Sequence, residues 1–396
     1  MRFVFFCQSL VSDWNNPGAH LLRGVAAELL ESGHGVQIYE PADGWSLHNL
    51  LEQGGAGLLK AFSATYPQLR SHFYDPQRLD LDQLLDEADV VIVHEWSEPE
   101  LLRQLSRHRA HSTRYKLLFH DAPHRSLQQP RPLRATLLSH FDGVLAASDS
   151  LRRLYHEQSW ADHVWLWRDA VDTRIFRPLE REPLRSFDVV WVGNWGPATR
   201  ASELNEFLIA PMRALGLHAR LYGCRYPEDV LHTLRACGAD YGGWLPDFSI
   251  PAAYATGRIA LHVPRRMHGE GLPHTPTLRI LQALACGMPV VSAPWSECDA
   301  VFAPGRDFLV AGDGAEMSRH IAALLDDPQR AAELAAHGMK TVTERHTCAD
   351  RARELLLISH ELGAREIAQA ALRMRAPRAA RRAARSERSH VAAAWN

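Results

Sequence analysis

Arg2-Phe-Val-Phe-Phe6, the loop Asn15-Asn-Pro-Gly18, a run carrying Leu21, Leu22, Val25 and Leu29, the stop Gly33-His-Gly35 and then Val36-Gln-Ile-Tyr39 read as one strand–helix–strand unit. The two apolar runs have the length of buried strands, and the leucines between them fall on one helical face until the glycines end it. A helix between two strands carries the chain back, so the strands lie parallel. Working outward, the unit repeats at Val90–Val93, Leu117–Phe119, Val144–Ala147 and Val164–Trp167. Residues 47–75 fit it less well and read as an insertion of irregular helices. A second series follows the charge-rich stretch Arg177–Ser186, with strands at Asp188–Val192, Ala219–Tyr222, Ile259–Val263, Pro289–Ser292 and Phe308–Val310. Helices are expected near 200–215, 226–237 and 276–286, and from about 313 onward the pattern is helical. The expected fold class is α/β, with two Rossmann-like, doubly wound parallel sheets facing a cleft. The expected domains are 1–175 and 186–345, then a helical segment 346–372 that crosses back to the first domain, and a basic tail 373–396.

Composition narrows the function classes. A chain of 396 residues suits two domains, and 46% hydrophobic with 23% charged residues suits two buried cores. A net charge of -2 and a pI near 6.9 give no global signal for nucleic acid. Seven arginines in 373–396 read as a solvated extension, with peripheral contact to an anionic surface as the functional alternative. The six cysteines contain no Cys-x-x-Cys pair, which argues against a zinc ribbon or a disulfide framework. The apolar run Phe3–Cys7 is too short for a signal peptide, and Ile280–Trp295 is broken by Gln282, Gly287 and prolines. These features imply a cytoplasmic protein.

Ligands of parallel sheets bind beyond the carboxyl ends of the strands. Those ends carry Asn15–Gly18, His120-Asp-Ala-Pro-His124, Gly193-Asn-Trp-Gly196 and Pro264-Arg-Arg266, with His274-Thr-Pro-Thr277 entering a helix. Two adjacent arginines beside a helix start make a diphosphate seat, since guanidinium forks and free amides both favour anions. The plainer alternative is that Arg265 and Arg266 are surface residues after a strand. The sequence has neither the full dinucleotide glycine pattern nor a P-loop. Asp80-Leu-Asp82 looks like a metal motif but reads better as the acidic start of a helix. His120 and His124 flank Pro123 without a third ligand, so no metal and no cofactor is expected.

Phe141-Asp-Gly-Val-Leu-Ala-Ala-Ser148 and Asp169-Ala-Val-Asp-Thr-Arg-Ile-Phe-Arg-Pro178 resemble the interdomain region of group 1 glycosyltransferases, glycosyltransferase family 4 and its relatives. Pro276-Thr-Leu-Arg-Ile-Leu-Gln-Ala-Leu-Ala-Cys-Gly-Met-Pro-Val-Val-Ser-Ala-Pro294 resembles the carboxyl-domain signature of that family. With Pro304-Gly-Arg-Asp-Phe-Leu309, it is most similar to the CgeB-type, spore-maturation-like branch. The similarity spans most of residues 90–350.

The resemblance implies a GT-B fold, a nucleotide-sugar donor in the second domain, no metal, and retention at the anomeric carbon. It places Gly193 and Asn194 near the donor phosphates, Trp244 and Leu245 at the base, and Arg265, Arg266, Thr275 and Thr277 on the diphosphate. His120 falls at the amino-domain histidine near the transferred sugar, and Gly18 and His20 fall on the acceptor-side loop. Where the family carries two glutamates, this sequence has His274 and Gln282, and glutamine grips ribose hydroxyls without charge assistance. The expected function is transfer of a sugar to an envelope glycan, a lipid-linked or a small-molecule acceptor, and not to nucleic acid. The alternatives are a degenerate nucleotide-sugar-binding protein without transfer activity and a GT-B nucleotide-sugar epimerase.

Overall fold

The computed structural model describes residues 1–122, 137–179, 186–196, 200–264, 278–295 and 301–363. Arg265, Arg266, His274, Thr275, Thr277 and the basic tail lie outside the described residues.

The first sheet has seven parallel strands: β1 (Arg2–Phe6), β2 (Gly35–Pro41), β3 (His72–Tyr74), β4 (Val90–His94), β5 (Lys116–Asp121), β6 (Gly143–Ala146) and β7 (Val164–Leu166). Their order is β3-β2-β1-β4-β5-β6-β7. The second sheet has β8 (Phe187–Val192), β9 (Ala219–Tyr222), β10 (Ala239–Tyr241), β11 (Gly257–His262), β12 (Val290–Ser292) and β13 (Leu309–Val310), in the order β10-β9-β8-β11-β12-β13. Each order reverses once, between β1 and β4 and between β8 and β11, which opens a crevice at the carboxyl ends of those strands.

Strand alternation divides each core in two. Phe3 and Phe5 enter one cluster with Leu21, Val25 and Leu29, while Val4 and Phe6 enter another with Val91, Leu117 and Phe119. In the second sheet Val189 and Trp191 pack with Leu208, Met212 and Ile321, and Val190 and Val192 pack with Ile250, Leu281 and Leu284. Each such side chain contributes about 1.5–3 kcal/mol when fully buried.

Two expectations change in detail. Residues 47–75 hold a helix, Trp45–Thr65, bent at Gly55 where φ is 59°, and then strand β3. The stretch expected as one helix near 200–215 is three pieces, Ala201–Leu204, a π turn Asn205–Ile209, and Ala210–Leu215. Asp80 caps the short helix Leu81–Leu84, accepting from Gln83 N, so its carboxylate is structural.

The helix Cys348–Glu361 returns to the first domain. Thr347 and Asp350 form a capping box at its start. Cys348, Ala352, Leu355 and Leu356 join the first domain's core, and Trp167 Nε1 donates to Arg351 O at 3.0 Å. The helix Gly18–Glu31 packs closely on it: a Cβ on Gly24 would stand 2.2 Å from Cys348 Sγ. Among the described residues no helix is long and apolar enough to cross a membrane.

Candidate active site

The carboxyl ends of the two sheets face each other across a cleft holding about 1310 Å³ of open space, its mouth to solvent included. One wall comes from the first domain: Asp13 to Gly18 after β1, His94 and Trp96 after β4, and His120 at the end of β5. The other comes from the second domain: Gly193 and Asn194 after β8, Gly223 after β9, Trp244 and Leu245, Arg200, and Arg279 in the helix Leu278–Ala285. Gly18, His120, Gly193, Asn194, Trp244 and Leu245 are thus brought to one place from four separate stretches of sequence.

The glycines permit close approach on the second-domain wall. A Cβ on Gly193 would meet the Trp191 ring at 2.6 Å, and one on Gly223, whose φ is 150°, would meet Gly193 O at 2.0 Å. The Gly193 amide itself donates to Tyr222 O at 2.8 Å, so this turn contributes bare backbone surface to the cleft and not the Gly193 N–H. Asn194 Oδ1 accepts from Cys224 N at 3.0 Å, and Asn194 Nδ2 donates across the cleft to Asn15 Oδ1 at 3.3 Å. Arg200 is buried with one guanidinium nitrogen donating to Val263 O at 2.7 Å, which fixes a cation at the lip of β11.

On the opposite wall the His120 ring packs edge to face with His94 and with Trp167, the centroids 5.0 and 4.8 Å apart. Burial and the neighbouring His94 push its pKa well below the ordinary histidine value, so the ring is neutral. Its Nε2 has no hydrogen-bond partner among the described residues. Gly18 leaves room for the His94 ring, whose Nε2 would lie 2.6 Å from a Cβ there.

Two residues expected in the site lie beneath it. Gln282 is completely buried, its Oε1 accepting from Arg279 Nη1 at 2.6 Å. It stands one turn after Leu278 in the helix, bonded to Arg279. His20 is also completely buried. Its Nε2 accepts from Asp172 N at 3.1 Å, which leaves the proton on Nδ1, facing Asp247 at 3.7 Å. Burial lowers its pKa to about 4 despite the Asp247 and Asp172 carboxylates. His20 and Gln282 are therefore buried at the joint between the domains, outside the residues that line the cleft in this structure.

That joint was not visible in the sequence. Buried Arg23 donates to Asp13 Oδ2 at 3.0 Å and to the carbonyls of Leu10 and Val11, both at 2.7 Å. Asp13 Oδ2 also accepts from Asp247 N at 2.6 Å, and Asp247 Oδ1 accepts from Arg279 at 2.5 Å. Across the joint the order is Arg23, Asp13, Asp247 and Arg279, so the two carboxylates meet between the domains and each is bonded to an arginine of its own domain. Burial, reinforced by Asp247, raises the Asp13 pKa to about 6 although Arg23 opposes it. Asp169, also lining the cleft, is raised to about 6 by burial.

Among the described residues no group of three or more His, Cys, Asp or Glu is placed to hold a metal ion.

The arrangement of two sheets and one cleft matches solved structures. Sucrose-phosphate synthase from Thermosynechococcus elongatus superposes over 92% of this chain and 99% of its own, with a TM-score of 0.60 and 14% identity. The fold is GT-B. HepE from Anabaena, solved with UDP and glucose, matches this GT-B chain at a TM-score of 0.63 and 16% identity, covering 91% of this chain and 100% of that one. A glycosyltransferase from Rickettsia africae matches at a TM-score of 0.64 and 11% identity, over 91% of this chain and 98% of its own. Residues 200–357, in the second GT-B domain and its continuation, match the family described as glycosyl transferase-like. No curated protein sequence matches the chain significantly.

Proposed function

We propose that the chain is a glycosyltransferase that moves a sugar from a nucleoside-diphosphate sugar to an acceptor hydroxyl. The observation that carries this reading is the shared cleft, with close-approach glycines and a fixed cation on one wall and a neutral imidazole and a carboxylate on the other. The HepE structures with UDP and with UDP-glucose support a UDP-sugar as donor.

In this reading Trp244 and Leu245 border the base, and the phosphates lie over Gly193 and Asn194 within reach of Arg200. Arg265, Arg266, His274, Thr275 and Thr277 are assigned to the same donor by the sequence resemblance. The acceptor oxygen bonds to the anomeric carbon as that carbon's bond to the distal phosphate oxygen breaks. The nucleoside diphosphate departs with its charge met by arginine, and the leaving phosphate oxygen takes the hydroxyl proton on the same face, which retains configuration. His120, neutral and unpartnered at Nε2, is placed to exchange a hydrogen bond with the transferred sugar. With guanidinium groups on the leaving charge, the reaction proceeds without metal.

Buried Gln282, at the position of the family's ribose glutamate, favours one second reading, a protein that binds the donor without transferring it. Incubation with UDP-sugars and candidate acceptors, with and without EDTA, separates the two. Transfer predicts acceptor-dependent UDP release that EDTA does not stop, and a product with the donor's anomeric configuration by NMR. Donor binding without consumption supports the second reading and overturns the first.

A further inference from the structure

The first-domain wall carries groups that the donor leaves unused. Trp14 and Trp96 stand on the loops after β1 and β4 and Trp45 opens the helix after β2, three strands that are neighbours in the sheet. Their rings meet edge to face in a row, Trp14 to Trp45 at 6.0 Å and Trp45 to Trp96 at 6.2 Å between centroids. All three are half-buried. The Gln8 amide holds the Trp45 ring: with its nitrogen toward the Trp96 backbone carbonyl at 3.2 Å, its oxygen accepts from Trp45 Nε1 at 2.8 Å. The Arg225 guanidinium lies 5.6 Å from the Trp14 ring centre, so that ring is covered from the second domain. Trp96 is the member of the row that lines the cleft.

Beside Trp96, the same cleft is lined by Asp13 and His120, each 5% exposed. Asp13 Oδ1 and His120 Nε2 have no hydrogen-bond partner among the described residues. An aromatic ring and an unpaired carboxylate oxygen on one wall of the cleft suit a ligand with an apolar face and a rim of hydroxyls. We propose that this wall is an acceptor subsite for a pyranose ring, which stacks on Trp96 and donates a hydroxyl to Asp13 Oδ1, next to the transferred sugar at His120. The acceptor of the proposed transfer is then a glycan. A polyprenyl chain would need a continuous apolar trough, whereas this wall interrupts its aromatic row with Asp13, Asn15, Asn16 and His94.

This inference rests on the transferase reading, and its test separates the two. The full chain, saturated with UDP, is titrated by calorimetry and saturation-transfer NMR with maltotriose, cellotriose, mannotriose and chitotriose, and with a short polyprenyl phosphate as comparator. At least one oligosaccharide should bind, with the saturation concentrated on the ring protons of one residue. Trp96→Ala should weaken that sugar by about tenfold, a loss typical of one aromatic contact, while Trp96→Phe stays within about threefold. The affinity for UDP should be the same in all three proteins. If Trp96→Ala does not fold, Trp96→Leu takes its place, and the aromatic variant must still bind the sugar more tightly. Binding of none of the oligosaccharides, binding of the polyprenyl phosphate alone, or equal sugar affinity in the aromatic and aliphatic variants overturns the proposal. Sugar binding by a protein that takes no nucleotide would remove the transferase reading and leave the subsite standing.

Discussion

Replacing Asp13 by alanine should unsettle the joint between the domains, and the size of the effect follows from what Asp13 holds. Its Oδ2 accepts from Arg23 and from Asp247 N. Arg23 is completely buried and would keep the carbonyls of Leu10 and Val11 as hydrogen-bond partners. Removing one member of a buried ion pair costs about 3–5 kcal/mol, and leaving the Asp247 amide unpaired adds about 1–3 kcal/mol. Against that stands relief of a carboxylate that burial and Asp247 already disfavour, its pKa near 6. A net loss of about 3 kcal/mol is expected for Asp13→Ala, and about half of it for Asp13→Asn, which keeps an acceptor oxygen but not the charge. Urea unfolding followed by circular dichroism and by tryptophan fluorescence measures both, and disagreement between the two probes would reveal separate unfolding of the domains. An Asp13→Ala protein within about 0.5 kcal/mol of wild type would refute the buried Arg23–Asp13–Asp247 link as a stabilising joint.

Gln282→Glu adds a second carboxylate against Arg279, whose guanidinium nitrogen already serves Asp247. It should lower stability by about 1–3 kcal/mol and leave UDP affinity within about twofold, and a clear gain in affinity would instead return residue 282 to the donor surface. Acid should destabilise the protein. His20, His262 and His346 have pKa values lowered by burial to about 4, 3 and 4. The unfolded chain therefore takes up their protons first as pH falls below about 6.5, and their stabilising contribution is lost between there and about 4. Asp13 and Asp169, raised to about 6, act in the opposite sense over about the same range but are fewer and shifted less. Urea midpoints at pH 7 and 5 check the sign: a net loss of a few kcal/mol is expected, and a more stable protein at pH 5 would contradict it.

The fold was legible because its strands announce themselves. Arg2–Phe6 and Ala219–Tyr222 have the bounds their apolar runs suggest. The missed strands, His72–Tyr74 and Ala239–Tyr241, are three-residue edge strands whose partial exposure gives no apolar run to find. Trp45–Thr65 reads as irregular because Gly54, Gly55 and Gly57 interrupt its pattern, although the chain bends there without ceasing to be helical on either side. In the site, residues at strand ends were findable because the ends of parallel strands converge. Asp13, Trp96 and Arg200 were not, being single side chains in loops whose aim depends on tertiary contacts. For Gln282 the motif fixes its place in the helix, but not its burial or its bond to Arg279.

The most direct test is hydrogen exchange of the full chain with and without a UDP-sugar. The account predicts slower exchange in the turns after β8 and β9, across Tyr241–Leu245, and at the carboxyl end of β5 around His120, the segments that line the cleft. A UDP-sugar that binds yet slows exchange only outside these segments, or that does not bind at all, would contradict the claim that the cleft between the two sheets is the donor site.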